Sequence, residues 1–466
     1  MTVKFNKLSK IEQILRLREY YSSNGLYEHK YYFNHLDDED TEEFAQFIYL
    51  WESRNKALRN VSPRVVDFFA LKMLPSNIQI ITIKDDLKDI VNQILKWSNF
   101  DGNKQHLLSD FALTGDLFIK LVINPDKVFF EYLAPEDVAE IHEDRGFLTD
   151  IRIQYSITDD DGKSVDYVEF WDKNHYSVWE GNSIKDRKLE ELGDPTNYGL
   201  LSEFGISFCP FIHIKFKDLG RPDFMGTGCV EQSLDLIDEV NRTSTNLALQ
   251  AFREKPVFAV SAKEADSSNF SMTKPTLKKM IHKWTTPTTG GEQNVSSTDV
   301  FWQLSAGSTI TSLLAGVNWA ELDGIIESSM IELSEQLPAL KYYAIKESNI
   351  SNKTLSLLLD APLSQAKSAG ITFTNAIIRA CQMCITAGIF SGLFSTSLGK
   401  FEKGDFDFTI DSGEVFAMGI EDKITILSGL KANGIELKVA MKMAGFSDDE
   451  INKIVDVPII PDITGI

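Results

Sequence analysis

The sequence predicts an α+β fold that is mostly helical. Three observations carry that reading. Apolar residues recur at helical spacing over roughly the first quarter of the chain and again beyond Gly226. Between those stretches, from Leu117 to Phe216, β-branched and aromatic residues crowd into short runs separated by turn residues. The later helical segments are long and are bounded by Pro256, Pro338 and Gly-, Asn- or Ser-bearing stops.

The elements follow in order. Ile11, Ile14, Leu15 and Leu17 mark a first amphipathic helix, and Phe44, Phe47, Ile48 and Trp51 a second. The acidic run Asp37 to Glu43 between them reads as a solvated loop and helix start. Val65 to Leu74 forms a helix closed by Pro75, and two more follow at Leu87–Trp97 and Lys104–Leu113. Strands are expected at 117–123, 127–132, 150–157, 165–171, 176–179 and 210–216, arranged as an antiparallel meander. Asp159-Asp160-Asp161-Gly162 reads as a hairpin turn. It is not a calcium loop, because Ile157 stands where the first acidic ligand would be. Glu143-Asp144-Arg145-Gly146, after His142, reads as another hairpin turn.

A helix of about seven turns is expected from Cys229 to Glu254. Residues 256–317 are irregular, with two strand-like runs at 257–261 and 300–304. Over 255–317, six Lys face Glu264, Asp266, Glu292 and Asp299, a local excess of +2, with Lys274, Lys278, Lys279 and Lys283 close together. A helix at 318–337 leads to a polar stretch carrying Lys341, Lys346 and Lys353. A long helix from Thr354 to Ile389, kinked near Pro362, precedes a strand at 406–410. Helices at 414–430, 436–443 and from Asp448 complete the chain.

A chain of 466 residues is too long for one compact core. Its 68 Asp and Glu against 47 Lys and Arg give a formal charge of −21, which opposes nonspecific attraction to nucleic acid. Four cysteines do not make a disulfide framework at this length and suit a reducing compartment. The N-terminus lacks the apolar core of a signal peptide. No run reaches the ~18 apolar residues of a membrane span. The expectation is a protein that is cytoplasmic at synthesis, with no membrane contact.

Motifs for chemistry are weak. Cys381-Gln382-Met383-Cys384 has no second pair to complete a zinc site, and on a helix its thiols share a face with Ile377, Ile378 and Ile385. Gly226-Thr227-Gly228 lacks the third glycine, the preceding strand and the lysine of a phosphate-binding loop. The seven histidines show no metal spacing, and no nucleophile elbow occurs. No cofactor or metal site is expected. The helix 318–337 stands out because all its charges are acidic: Glu321, Asp323, Glu327, Glu332 and Glu335. Leu322, Ile325, Ile326, Met330, Leu333 and Leu337 are expected on one apolar stripe, with Glu321, Glu332 and Glu335 grouped to one side of it. Such a helix is either a solvated face or the lining of a pore whose carboxylates repel phosphates.

Several segments, in order, resemble portal proteins of tailed double-stranded DNA bacteriophages. They are Asn60–Leu74 (NVSPRVVDFFALKML), Leu107–Lys120 (LLSDFALTGDLFIK), and Leu133-Ala134-Pro135-Glu136-Asp137-Val138 followed by Gly146 and the strand 150–157. Phe208–Asn241 is similar to the opening of the family's first stem helix. It departs where Gly226-Thr227-Gly228-Cys229-Val230-Glu231 replaces the usual Ser-Asp. Ile350–Leu359 and the C-terminal run of short helices, with its GFSDDEI, complete the match.

The resemblance implies a portal-type fold: wing at 1–225, first stem helix at 226–254, clip at 255–317, second stem helix at 318–337, tunnel loop at 338–353, wing again at 354–413 and crown at 414–466. It implies a non-enzymatic ring, usually of twelve subunits, at one capsid vertex, with DNA passing through it. Implied partners are the terminase motor, a head–tail adaptor, the major capsid protein and a scaffold. On this reading Glu321, Glu332 and Glu335 line the channel, Lys341, Lys346 and Lys353 contact DNA from the tunnel loop, and Lys274, Lys278, Lys279 and Lys283 meet partners at the clip. Two other readings stay open: a cytoplasmic α+β enzyme using clustered carboxylates, and a DNA-binding module acting through the four clip lysines.

Overall fold

A computed structural model describes residues 9–23, 26, 57–74, 78–82, 84–158, 162–185, 187–220, 225–253, 258–261, 309–312, 319–344, 357–394, 406–411, 420–444, 446 and 451. The chain divides into two compact units, Met1–Thr245 with Ser328–Ile466, and Asn246–Glu327.

The larger unit opens with α1 (Lys10–Ser22), α2 (Ser62–Met73), β1 (Gln79–Ile81), α3 (Asp85–Trp97) and α4 (Phe100–Thr114). Then come β2 (Asp116–Asn124), β3 (Lys127–Leu133), β4 (Val138–Asp144), β5 (Phe147–Thr158), β6 (Ser164–Trp171), β7 (His175–Gly181), β8 (Asn197–Leu200) and β9 (Phe211–Lys215). Helix α5 (Leu234–Arg253) crosses the boundary into the smaller unit. There β10 (Phe258–Ser261) pairs antiparallel with β11 (Thr309–Ser312). Helix α6 (Trp319–Gln336) crosses the second boundary, and α7 (Leu340–Ala344), α8 (Asp360–Phe390), β12 (Thr409–Asp411), α9 (Ile420–Ala432) and α10 (Leu437–Met443) follow.

Local chemistry sets the element ends. Ser9 caps α1: its hydroxyl accepts the Glu12 backbone N–H, and the Glu12 carboxylate accepts the Ser9 N–H at 2.8 Å. Gly115 ends α4 at φ +84°, a left-handed conformation that suits glycine. Arg145 and Gly146 both take positive φ in the two-residue turn joining β4 to β5, which matches the twist of the flanking strands.

The expected single meander is two sheets. Strands β4 to β8 do form a five-stranded meander, but β9 returns to pair with β2, giving a three-stranded sheet in the order β3-β2-β9. The reason lies in β2. Leu117, Phe118 and Ile119 are consecutive and all buried, so the strand is covered on both faces and needs a neighbour at each edge. Strand β4 was not expected because its Ala139-Glu140-Ile141-His142-Glu143-Asp144 is mostly polar, and two register shifts interrupt its pairing with β5. Strand β8 is short and contains Gly199, where a side chain would collide with the Tyr176 ring. Of the two strand-like runs expected near the insert, the first is β10. The second, 300–304, lies outside the described residues, as do the helix at 44–51 and the last helix apart from Ile451.

Most of the core lies among α1 to α4, the three-stranded sheet and α8. Helix α8 contacts α2, α3, β2, β3 and β9. It approaches α2 so closely at Gly370 that a Cβ there would meet the Met73 carbonyl. Phe100, Phe111 and Phe373 are buried together, with Phe373 about equally near each of the other two rings at 6.3 and 6.2 Å. Cys381 and Cys384 are fully buried on the same helix, and burial pushes both thiols up. A second, smaller cluster, including Phe118, Val138, Ile151, Ile153 and Phe211, packs the three-stranded sheet against the five-stranded one.

One expectation needs adjusting. Helix α8 is long and apolar enough, by length and composition alone, to cross a membrane. More than half of that apolar stretch is buried within the fold, which marks a core helix.

Candidate functional site

Helix α6 carries the feature singled out in the sequence. Ile326, Leu333 and Leu337 are buried and Met330 is partly so, forming the expected stripe at about 100° per residue. Ile325 does not belong to it: it is 48% exposed, and Ile331 is 61% exposed on the opposite side. The solvent-facing arc carries Asp323, Glu327, Glu332 and Glu335, all exposed. Among the described residues, none of these four has a cation within ion-pair distance. Glu321 lies in the first turn of α6, and its side chain is outside the described set.

Beyond Pro338 the chain turns into the short helix α7, so Lys341 sits half-buried on a helix and not in a loop. Lys346, Lys353 and the four lysines Lys274, Lys278, Lys279 and Lys283 lie outside the described residues.

The charges around α1, α4, the start of α5 and the sheets behave differently. Arg16 donates to Asp238 Oδ2 and to the Tyr20 hydroxyl, each at 2.9 Å, and Tyr20 in turn donates to Asp238. All three side chains are within a few per cent of fully buried. Burial first, then the neighbouring Asp238 charge, pushes the Tyr20 phenol well up. Beside this triad, Asn241 accepts the Arg59 N–H at 2.7 Å, tying the chain before α2 to α5. Arg18 forks onto Asp110 at 2.9 and 3.1 Å and reaches Glu136, while the Tyr132 hydroxyl donates to Asp110 at 2.8 Å. Glu169 gathers Lys120, Tyr155 and Trp171 at 3.1, 2.7 and 2.7 Å. Burial raises its carboxyl, and these partners more than reverse that, leaving it below the usual range.

A family model for phage portal proteins of the SPP1 Gp6-like type matches residues 3–313. The chain belongs to that portal family. Its fold is α+β, and the family is a structural one, which sets aside the enzyme reading. A comparison with curated proteins returns no match. Among solved structures, a chain from the neck of an empty gene transfer agent particle, computed with C6 symmetry, is similar at 12% identity and TM-score 0.48, covering 84% of this chain and 92% of that one. A chain from the neck of the native particle, computed with C12 symmetry, is similar at 12% identity and TM-score 0.39, covering 89% and 95%. A chain from the native virion is similar at 12% identity and TM-score 0.37, covering 85% and 89%.

In this portal protein the glycines before α5 have a structural role. The Gly226 N–H donates to Asp116 Oδ1 at 2.7 Å, the Thr227 N–H to the Lys217 carbonyl at 3.0 Å and the Cys229 N–H to the Ala112 carbonyl at 2.8 Å. Side chains at 226 or 228 would strike the carbonyls of Gly115 and Leu113. The departure from the family pattern at 226–231 is therefore a backbone clasp onto the end of α4. Sequence reasoning missed the buried charges of the body. Their signal was there: Arg16 on the apolar side of α1, Asp110 and Asp116 inside apolar runs, and Asp238 four residues after Leu234. The partners are more than 90 residues apart in sequence for Arg18–Asp110 and more than 200 for Arg16–Asp238, so spacing could not pair them.

Proposed function

We propose that this portal protein assembles as a homo-oligomeric ring at one vertex of a capsid and forms the channel for genome packaging, retention and ejection. The observation that carries this is the exposed, uniformly acidic arc of α6 in a chain of the portal family. In a ring, such a helix would present carboxylates to a passing duplex. Like-charge repulsion would then keep the phosphates from adhering to the wall.

The division of labour follows the family pattern: wing at 1–225 and 354–413, stem at 226–254 and 318–337, clip at 255–317, tunnel loop at 338–353 and crown at 414–466. The clip would dock the terminase motor during packaging and the head–tail adaptor afterwards, with Lys274, Lys278, Lys279 and Lys283 as contacts. The wing would meet the major capsid protein and a scaffold. Lys346 and Lys353 would touch DNA from the tunnel loop and Lys341 from the short helix α7 that opens that segment, while Glu321, Glu332 and Glu335 would line the channel. Twelve subunits is the number this reading favours. Cryo-electron microscopy and native mass measurement of the purified full chain test it. Closed rings with α6 at the inner wall are expected, and a monomer under all conditions would overturn the ring.

A further inference from the structure

His213 is held in a way that a neutral side chain does not satisfy. Its side chain is 1% exposed. Nε2 lies 2.9 Å from Asp116 Oδ1, and Nδ1 lies 2.5 Å from Glu143 Oε1. An ionised carboxylate only accepts hydrogen bonds, and a neutral imidazole donates from one nitrogen alone. Two carboxylates on the two ring nitrogens therefore call for an imidazolium.

The surroundings fit that charge. Asp116, fully buried on β2, also takes Lys10 Nζ from α1 at 3.1 Å and the Gly226 N–H at 2.7 Å. Glu143, on β4, takes Lys215 Nζ from β9 at 3.1 Å, and Asp218 stands 3.9 Å from the same ammonium. The Phe118 ring lies flat on the imidazole, centroids 4.4 Å apart. With His213 protonated, three cations (Lys10, His213, Lys215) face three anions (Asp116, Glu143, Asp218). Asp218 is 61% exposed, so the buried carboxylates are Asp116 and Glu143; without the proton, one of their bonds is replaced by an imidazole lone pair facing a carboxylate.

We propose that His213 is a proton-held clasp that closes the junction of the two sheets on the Gly226 turn, and that loss of this proton opens it. Of the three elements it joins, β2 and β9 belong to the three-stranded sheet and β4 to the five-stranded one, and Asp116 passes the same clasp to the turn that feeds α5. Burial lowers the imidazole's pKa, and the bonds and charges of Asp116 and Glu143 more than offset this, so the net shift is upward. The sign follows. A group raised in the folded state stabilises fully below its unfolded pKa of about 6.5, and that contribution is lost as pH rises through the folded value. The clasp is therefore intact below that unfolded value and weakens as pH rises through the higher folded one.

The test is amide hydrogen exchange by mass spectrometry on the full-length protein from pH 6.5 to 9.5, with labelling times scaled to the intrinsic rate. In the wild type, protection of segments 138–144, 211–216 and 225–229 should fall roughly tenfold or more with rising pH, the weight of a charged hydrogen bond, while 107–112 in α4 holds steady. In His213→Gln that pH dependence should vanish. Lys10→Met, at a part-buried position outside the sheets, keeps the fold if His213→Gln does not. It leaves the imidazolium as the one cation on Asp116 among the described residues, so the midpoint should move to higher pH. Flat protection in the wild type, an unchanged midpoint in Lys10→Met, or wild-type behaviour in a folded His213→Gln would overturn the clasp.

Discussion

The body and helix α6 treat charge in opposite ways. In the body, Arg16, Asp110, Asp116, Glu169 and Asp238 are almost wholly buried, and each meets an opposite charge at hydrogen-bond distance. On α6, Asp323, Glu327, Glu332 and Glu335 are exposed and share one sign. Desolvation makes the first set expensive to break and the second cheap to alter. Substitutions in the body should thus be read out as stability. Those on α6 should be read out in what the assembled protein does.

The largest effect is expected at Asp238. Asp238→Ala removes the carboxylate that the buried Arg16 guanidinium and Tyr20 hydroxyl share, and should remove about 3–5 kcal/mol of unfolding free energy. Urea unfolding measures it. Replacing both members of the pair, Arg16→Met with Asp238→Leu, should recover much of that loss, because the penalty comes from the orphaned charge. A single substitution as mild as the double one would contradict the comparison.

Next comes the backbone clasp. Gly226→Ala places a methyl against the Gly115 carbonyl, which has no free room to move because its neighbour Asp116 receives the Gly226 N–H. A loss of about 1–3 kcal/mol is expected, as for an overpacked core. Gly324→Ala, where the added methyl meets open space on α6, should be neutral or slightly stabilising. Comparing the two thermal midpoints sets the body against the acidic helix directly.

Acid should separate the regions more gently. Asp116, Glu143 and Glu169 are all held below their ordinary range, despite burial, by His213, Lys10, Lys215 and Lys120. A depressed carboxyl stabilises above its unfolded value, about 4, and loses that contribution as pH falls through the lower folded value. Stability of the body should be level near pH 5 to 6 and fall below about 4. Glu169→Gln should flatten part of that fall, whereas Glu332→Gln should leave it as it is.

How far the sequence reached follows the same line. Helices and strands with strong periodicity were legible, and β2, β3, β5 to β7 and α8 lie within a few residues of their expected bounds. The return of β9 to β2 was not legible, because strand pairing is non-local and each strand alone fits a meander. Strand β4 was hidden by its own polarity, and part of that polarity serves the network: Glu143, which reads as a turn residue, is a partner of His213. Local pattern showed the exposed acidic residues Asp323, Glu327, Glu332 and Glu335 of α6, since such a face needs no partner. It could not show which apolar residues fill the stripe, and Ile325 fell on the wrong side.

The smallest effect on stability belongs to α6. Glu332→Gln with Glu335→Gln removes two exposed charges that contact no described cation, and should shift unfolding by less than about 0.5 kcal/mol. The change should favour the helix slightly, since carboxylates in the last turn oppose its dipole. Function should answer differently. On the proposed channel reading, turning Glu321, Glu332 and Glu335 to Lys would convert a repelling wall into one that binds phosphates as point charges. Rings should still form, while DNA uptake in a packaging assay slows and becomes salt-dependent. Unimpaired packaging by such rings would mean that this arc faces away from the duplex, and α6 would then be a solvated face like any other.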